Sequence, residues 1–528
     1  MRTKNGKIRE EILLFPRSLE EFIGADNIVR LVDVFVDVLN LKDLGFSMKA
    51  KKKCEPGAPS YAYKDLLKIY LYGYLNQTSS TRQLEKMCQV NIEVMWLING
   101  LKPGHVTINS FRRENPLGLK KVFRAYNRFL DTQGLFGKET IAVDGSKFRA
   151  QNAKRNNHSD RSLKLKEAYL EKKYEEYLAL LDKTDKEENP NLSKSKIEKR
   201  LEELNDRKQK CEKLKANLAE AKEKGELQIS TTDPDARKMR VPNRGVDICI
   251  NVQSAVDDKH CLIADFQATN KDDKNALSQI AIRVKKEYKI DKLNALADAG
   301  YYTAGEIKKC ADEDIITYVS PHIRKTGPFS KKAFIYNAKD DTYICPNGKL
   351  LTTNGKWLKR KAKPYRFKSY TGQLSVCKKC PFVKDCISPS RLKSRHAKKI
   401  DRREFESYAE ANDKRVMENK DYYRKRSQIV EHPFGTIKRN WGYTFTRLRG
   451  LEKIEGEFSL IFLCYNLRRS VSILGVKELI KLLKAAKKDF FTFFRSFIAN
   501  YSGKIFRKIE NIEIVKEKNE FKVLCSFA

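Results

Sequence analysis

Two short apolar runs, Thr140–Val143 and Leu293–Ala297, each stop at an aspartate, in the segments VDGSK and LADAGY. Runs this short and this uniformly apolar suit central strands covered on both faces, and such strands belong to a sheet with helices packed around it. Val246, Ile248, Ile250 and Val252 alternate as a further strand does, and Cys261–Phe266 is placed to pair with it across a turn at Asp257-Asp258. Asn275–Tyr288 reads as a helix. The economical architecture is a mixed α/β sheet flanked by helices.

Ahead of the sheet the periodicity changes to that of helices. Tyr63, Leu66, Leu67, Tyr70, Leu71 and Tyr74 share one helical face, and Ser80 with Gln83 has the spacing of a capping box opening the next helix. Ile92–Ile98, a turn at Gly100–Gly104 and a last helix from Thr107 to Glu114 follow, with Arg112 and Arg113 expected on its surface. Short successive helices with a basic last one fit either a helix-turn-helix reader of DNA or a helical dimerisation domain. From Asp160 to Glu226 the chain carries 18 basic and 17 acidic residues and two heptad-like stripes. Leu163, Leu170, Tyr174, Tyr177 and Leu181 line one, Ile197, Leu201, Leu204, Cys211, Leu214 and Leu218 the other, and Asn189-Pro190-Asn191 separates them. That is an antiparallel helical hairpin inserted between strands, a spacer or a contact arm.

Charge narrows the partners. The formal net charge is +39 and the pI about 9.6, an excess that repels itself unless a polyanion compensates it, so nucleic acid is the expected partner. The opening MRTKNGKIREEILLFPRS lacks the pattern of a secretory signal, and the longest apolar stretch, Phe458–Leu467, is too short for a bilayer. A cytoplasmic protein without a membrane partner is expected, its cysteines reduced.

Two carboxylates brought together at one sheet edge repel, and they are stable mainly when a cation bridges them. Oxygen ligands favour Mg2+ or Mn2+, and the six histidines show no clustered spacing that would suggest another metal. A third acid, Glu431, stands alone among bases between Asp421 and Gly450, and Lys438 lies two helical turns beyond it if the helix survives Pro433 and Gly435. Cys345, Cys377, Cys380 and Cys386 form C-x31-C-x2-C-x5-C, a spacing that suits structural Zn2+. They sit where 16 basic residues face two acids, between Arg324 and Lys384.

The segments DPDARKM (233–239), GVDICINVQSAVD (245–257), ADAGY (297–301), VEHPFGTIK (430–438), RGLEKIEGE (449–457) and CYNLRR (464–469) resemble the DDE transposases of bacterial insertion sequences. The branch is the eleven-eighty-two-like one of the insertion-sequence-four superfamily. The resemblance implies an RNase H-like fold, with Asp144, Asp298 and Glu431 as the acidic triad and two Mg2+ or Mn2+ ions. It implies a nucleoid-associated enzyme that cleaves and transfers strands of double-stranded DNA, at element ends and target, as a DNA-bound homodimer. The superfamily's signature around the third acid is Tyr-x2-Arg-x3-Glu-x6-Lys. Tyr423, Arg426, Glu431 and Lys438 fit it except that four residues separate Arg426 from Glu431, so Arg424, which shares the face of Glu431, competes for the arginine role. Arg112, Arg113, Tyr423, Arg424, Arg426 and Lys438 are the expected DNA contacts.

The expected division is a helical DNA-binding domain at 1–135, a catalytic core at 136–160 and 227–320, the hairpin at 161–226 and a basic Cys-rich insertion at 321–400. The catalytic helix with the third acid occupies 401–475, and a helical tail 476–528. Two other readings share these features: a DNA-binding regulator derived from a transposase that has lost catalysis, and a metal-dependent nuclease without strand transfer.

Overall fold

The computed structural model describes residues 18–46, 59–184, 191–223, 225–241, 245–321, 327–360 and 365–486, with 516–517 and 520–521. Most of the expected C-terminal tail therefore lies outside the described residues, as does the hairpin break at 189–190. The chain divides into two compact units, each assembled from separated stretches. One comprises Met1–Leu135, Phe148–Ile250 and Thr436–Ala528, the other Phe136–Lys147 and Asn251–Gly435.

The first unit is mainly helical. Its core helix, Leu451–Leu474, contains the longest apolar stretch of the sequence, and every residue from Gly456 to Leu467 is buried. Such a helix needs neighbours on all sides. Pro116–Thr132 runs along it, so close at Gly456 that an added Cβ would stand 2.7 Å from Pro116 Cα. Polar groups within this contact pair with each other: Asn466 Nδ2 donates to Asn127 Oδ1 at 2.7 Å, and the hydroxyls of Tyr126 and Ser470 are 2.6 Å apart. Burying each large apolar side chain contributes about 1.5–3 kcal/mol, so this helix is the main source of cohesion in the unit. Among the described residues no helix is long and apolar enough to cross a membrane.

Tyr63–Leu75, expected to be amphipathic, is instead buried at every residue from Leu66 to Leu75. Even Lys68 is enclosed, and its ammonium pairs with Asp33 at 2.5 Å and Asp37 at 3.0 Å. Ser80 does stand at the N-cap of Thr81–Val90, but its hydroxyl makes no capping bond, so the helix uses only the backbone of that residue. Two long helices follow in the region expected to form the hairpin. Asp160–Thr184 and Asn191–Glu223 pack on Leu163, Leu170, Leu204, Cys211 and Leu218, with Tyr174, Tyr177 and Leu214 against them, a core of their own that draws on both stripes.

In the second unit the sheet is built from β1 (Thr140–Arg149), β2 (Gly245–Asp257), β3 (Ile263–Thr269), β4 (Leu293–Ala297) and β5 (Ile315–Val319), in the order β3-β2-β1-β4-β5. β1, β4 and β5 are parallel, whereas β2 and β3 form an antiparallel pair with an irregularity at Ala255/Val256. The N-terminal part of β2, in the first unit, pairs with Arg237–Val241. Leu277–Glu287, Ala304–Asp312, Glu406–Glu418 and Lys420–Gly435 pack on this sheet, the mixed α/β arrangement the strand pattern implied.

A second, smaller sheet follows at Ile335–Asn337, Thr342–Ile344, Leu350–Thr352, Leu358–Lys359, Arg366–Gly372 and Lys399–Arg403. Its core is Phe334, Tyr343, Leu351, Tyr370 and Ile400. So small a core leans on a polar hub. Asp341 accepts hydrogen bonds from Lys368 Nζ at 2.8 Å, Tyr336 Oη at 2.8 Å and Tyr370 Oη at 2.5 Å. Lys368 and Tyr370, with Tyr336, hold the Asp341 carboxyl down at about 2 against the opposing effect of burial.

A depressed carboxyl pKa contributes stability above the unfolded value near 3.8, and the contribution is lost as pH falls from there towards 2. Asp341→Asn should therefore loosen this sheet at neutral pH by about 1–2 kcal/mol, a figure reduced for partial exposure, and should flatten its acid sensitivity between about pH 4 and 2. Hydrogen exchange at Thr342–Ile344 and Arg366–Gly372 measures both. Unchanged protection in the variant would remove Asp341 from this role.

Candidate active site

The register of two strands places the central pair of acids. β1 and β4 run parallel with Val143 opposite Ala297, so the next residue on each strand is an aspartate, Asp144 on one and Asp298 on the other. Neighbouring strands lie about 4.8 Å apart, so the two aspartates stand side by side, and Asp298 repels the charge on Asp144. Contrary to the sequence expectation, β1 does not stop at Asp144 but continues to Arg149. β4 does stop, and the chain turns through Ala299–Tyr301 with Asp298 Oδ1 accepting the Gly300 N–H at 2.8 Å. Asp144 Oδ1 accepts the Gly145 N–H at 2.9 Å.

Around this pair the interior is polar. Tyr301 is wholly buried, and its phenol donates to Gln253 Oε1. Gln253 Nε2 donates in turn to Asp273 Oδ1 at 2.6 Å, as does Asn251 Nδ2 at 2.8 Å. Gly145 is small for a reason visible here: a Cβ on it would stand 2.3 Å from Gln253 Nε2 and 2.6 Å from Asp273 Oδ1. Burial, then repulsion from Asp298 and Asp273, pushes the half-buried Asp144 carboxyl up to about 6, while Arg426 and the Gly145 N–H oppose the rise. Burial and the same three aspartates hold the Tyr301 phenol well above its ordinary range. Asp273 was not anticipated. It lies in the polar stretch NKDDK, where adjacent aspartates read as a solvated loop.

Lys420–Gly435 is pinned to the sheet by consecutive tyrosines. The hydroxyl of Tyr422 is 2.7 Å from that of Thr140, and Tyr423 Oη donates to the carbonyl of Ala297 at 3.3 Å. Tyr423, expected as a DNA contact, thus uses its hydroxyl inside the protein, on the residue before Asp298. Arg426, almost one turn further on, is the cation that acts on Asp144. Arg424 is exposed and pairs with Asp421 at 2.8 Å, so Arg426 and not Arg424 faces the acids. Glu431 is exposed, and a rise of 1.5 Å per residue carries it about 7.5 Å along the helix past Arg426. Among the described residues no group of three or more His, Cys, Asp or Glu side chains stands ready to hold a metal ion. The structure gathers Asp144, Asp298, Asp273 and Arg426, and it does not gather Glu431 with them.

The helix survives Pro433 and reaches Gly435, where a π-helical turn, Thr436–Asn440, takes over. Proline removes one donor from the ladder, and a wider turn next to it is a common accommodation. Lys438 lies in that turn, its ammonium 4.2 Å from the centre of the Phe148 ring.

Arg112 overturns an expectation. It is 2% exposed, donates to Tyr74 Oη at 2.8 Å and lies over the Tyr70 ring at 5.3 Å, with the buried Glu457 acting on its charge. Its side chain points into the first unit because Phe111 and Ile108 on the same helix are core residues, and Arg112 follows them inward. It cannot reach a base edge. Arg113, its neighbour, is exposed.

The four cysteines of the smaller sheet line one cavity of about 300 Å³. Cys345 Sγ accepts the Lys349 N–H at 3.3 Å, and Cys380 Sγ accepts Asn347 Nδ2 at 3.5 Å. All four are free thiols, and the other three disfavour charge on Cys386.

Residues 344–471 match the family model of a transposase DDE domain, and residues 17–114 match that of a transposase domain, DUF772. No curated protein matches the chain. Among solved structures, a cryo-EM structure of the piggyBac transposase synaptic complex with hairpin DNA matches at 10% identity and a TM-score of 0.30, over 90% of this chain and 82% of that one. A score that low carries no fold assignment.

Truncating a buried guanidinium strands the groups around it, so Arg112→Ala should cost about 3 kcal/mol or more of unfolding free energy, against less than about 0.5 kcal/mol for Arg113→Ala. Urea denaturation compares them. Equal stability of the two variants would contradict the buried placement.

Proposed function

We propose that this chain is a DDE transposase of a bacterial insertion sequence, cleaving and transferring DNA strands at an RNase H-like site of Asp144, Asp298 and Glu431. The observation that carries the proposal is the strand register that sets Val143 opposite Ala297, so that Asp144 and Asp298 follow on adjacent strands, in a chain whose 17–114 and 344–471 segments both match transposase models. Double-stranded DNA is the partner its charge of +39 requires, bound by a homodimer at paired ends.

Two divalent ions, Mg2+ or Mn2+, suit the donors present. These are oxygens only, with Asp298 and Asp273 adding negative charge around Asp144. Bound there, such ions lower the pKa of water or of a 3′-hydroxyl and offset charge on a leaving oxygen. Asp144 and Asp298 would hold them from the sheet, and Glu431, exposed and apart from the pair in this structure, would complete the set from its helix. Tyr422 and Tyr423 fix where that helix lies, and Arg426 counters acid repulsion before the ions arrive. Arg424, whose exposed pair with Asp421 costs little to break, takes a phosphate, as do Lys438 and the exposed Arg113, each in its own unit.

The cysteine module is read as a structural Zn2+ site. Backbone and amide N–H groups already point at two of the four sulfurs, as thiolate ligands require, and Cys345 and Cys386 pack against the small core that a metal would brace.

Asp144→Asn, Asp298→Asn and Glu431→Gln should each abolish cleavage of labelled element ends while binding to those ends stays within a few-fold of wild type. Wild-type joining by any of them removes that residue from the triad, and cleavage without joined products in the parent protein would favour a nuclease.

Elemental analysis of protein purified without chelator should find about one zinc per chain, lost in a Cys377→Ser, Cys380→Ser double variant. Parent protein without zinc would reject the module's assignment.

A further inference from the structure

We infer that Asp273 is a further metal-ligating carboxylate of this site, oriented by a buried relay of amides. The inference rests on the proposed reading that Asp144 and Asp298 bind divalent ions. Asp273 opens the short turn Asp273–Asn275 that leads into Leu277–Glu287, outside every segment that carries the transposase resemblance.

Its placement is beside both Asp144 and Asp298. Oδ1 lies 2.6 Å from where a Cβ on Gly145 would stand, beside Asp144, and Oδ2 lies 3.6 Å from the same point on Gly300, two residues past Asp298. Its orientation is imposed from below. Asn251 and Gln253 stand on one face of β2, at most 1% exposed, and both donate to Oδ1. The amide of Gln253 has only one workable orientation, because Tyr301 donates to its Oε1 and thereby turns Nε2 towards Asp273.

Neutral donors aim a carboxylate without cancelling its charge. Among the described residues Asp273 makes no ion pair, and Arg426 acts on Asp144 against the repulsion of Asp298 and Asp273. A divalent ion would balance the charge of these carboxylates. A second sign of an open valence lies on Asn251. Its Nδ2 is fully used, on Lys271 O and Asp273, but its Oδ1 is buried with no hydrogen-bond partner, an oxygen acceptor left free beside the carboxylate. A purely structural aspartate would be expected to have its neighbours satisfied around it.

The test uses the full chain and Mn2+ alone, with binding followed by electron paramagnetic resonance, and Asp144→Asn run in parallel. Asp273→Asn keeps an oxygen for both amides and loses only the charge. It should weaken Mn2+ binding at least tenfold, with the melting temperature unchanged or raised by relief of repulsion. In cleavage assays it should shift half-saturation to correspondingly higher Mn2+. Wild-type Mn2+ affinity in Asp273→Asn overturns the inference, and so does a lowered melting temperature with unchanged half-saturation, the mark of a structural role. If Asp273→Asn behaves as wild type while Asp144→Asn loses Mn2+, only this inference fails. A parent chain that binds no Mn2+ and an Asp144→Asn variant that still cleaves would instead bring down the metal-site reading itself.

Discussion

Parallel pairing of β1 with β4 is the constraint on which the candidate site depends. Hydrogen bonding fixes the register, and a shift of one residue would turn one aspartate to the opposite face. With Val143 opposite Ala297, Asp144 and Asp298 emerge side by side, half-buried and mutually repulsive. What surrounds them follows from that repulsion. Arg426 is brought onto Asp144, two backbone N–H groups are turned onto the carboxylates, and a glycine follows Asp144 because nothing larger fits between it and Gln253.

Beneath the acids the interior is unusually polar for a sheet core. Tyr301, Gln253 and Asn251 are buried and bonded into one network that ends on Asp273. In a low-dielectric setting such hydrogen bonds are strong, and here they fix the orientation of Asp273. The tyrosines of Lys420–Gly435 extend the same principle to the helix. Tyr422 and Tyr423 bind the strand residues Thr140 and Ala297, so the helix is indexed to the same two strands that carry the aspartates.

The two insertions carry their own stability. The hairpin closes on leucines and Cys211 between its helices, and the small sheet closes on aromatic rings and the Asp341 hub. Neither depends on lengthening the central sheet, which is why a sheet of short strands tolerates long excursions between them. The core helix Leu451–Leu474 is the opposite case: buried over most of its length, it depends on neighbours around it for its stability.

Elements whose signal is local were legible in the sequence. Apolar runs ending in aspartate, the alternation along β2, the hairpin's heptad stripes and the cysteine spacing all report on residues close in the chain, and the structure contains each of those elements. Other features were decided only by tertiary contact. Arg112 looks like a surface base until the helix carrying it is seen to face Tyr70 and Tyr74, and Tyr423 looks like a DNA contact until Ala297 is found within reach. Arg424 and Arg426 are equivalent by spacing, and only the seating of their helix on β4 separates the exposed one from the one beside Asp144. Asp273 left no mark at all, because its partners Asn251, Gln253, Gly145 and Gly300 are distant in the chain. The sequence by itself determined the strands and helices of strong local periodicity, since periodicity and composition are properties of neighbours, but neither the continuation of β1 past Asp144 nor the short strands of the smaller sheet. Tertiary structure alone decided which charges meet, since that depends on which faces of distant segments are pressed together.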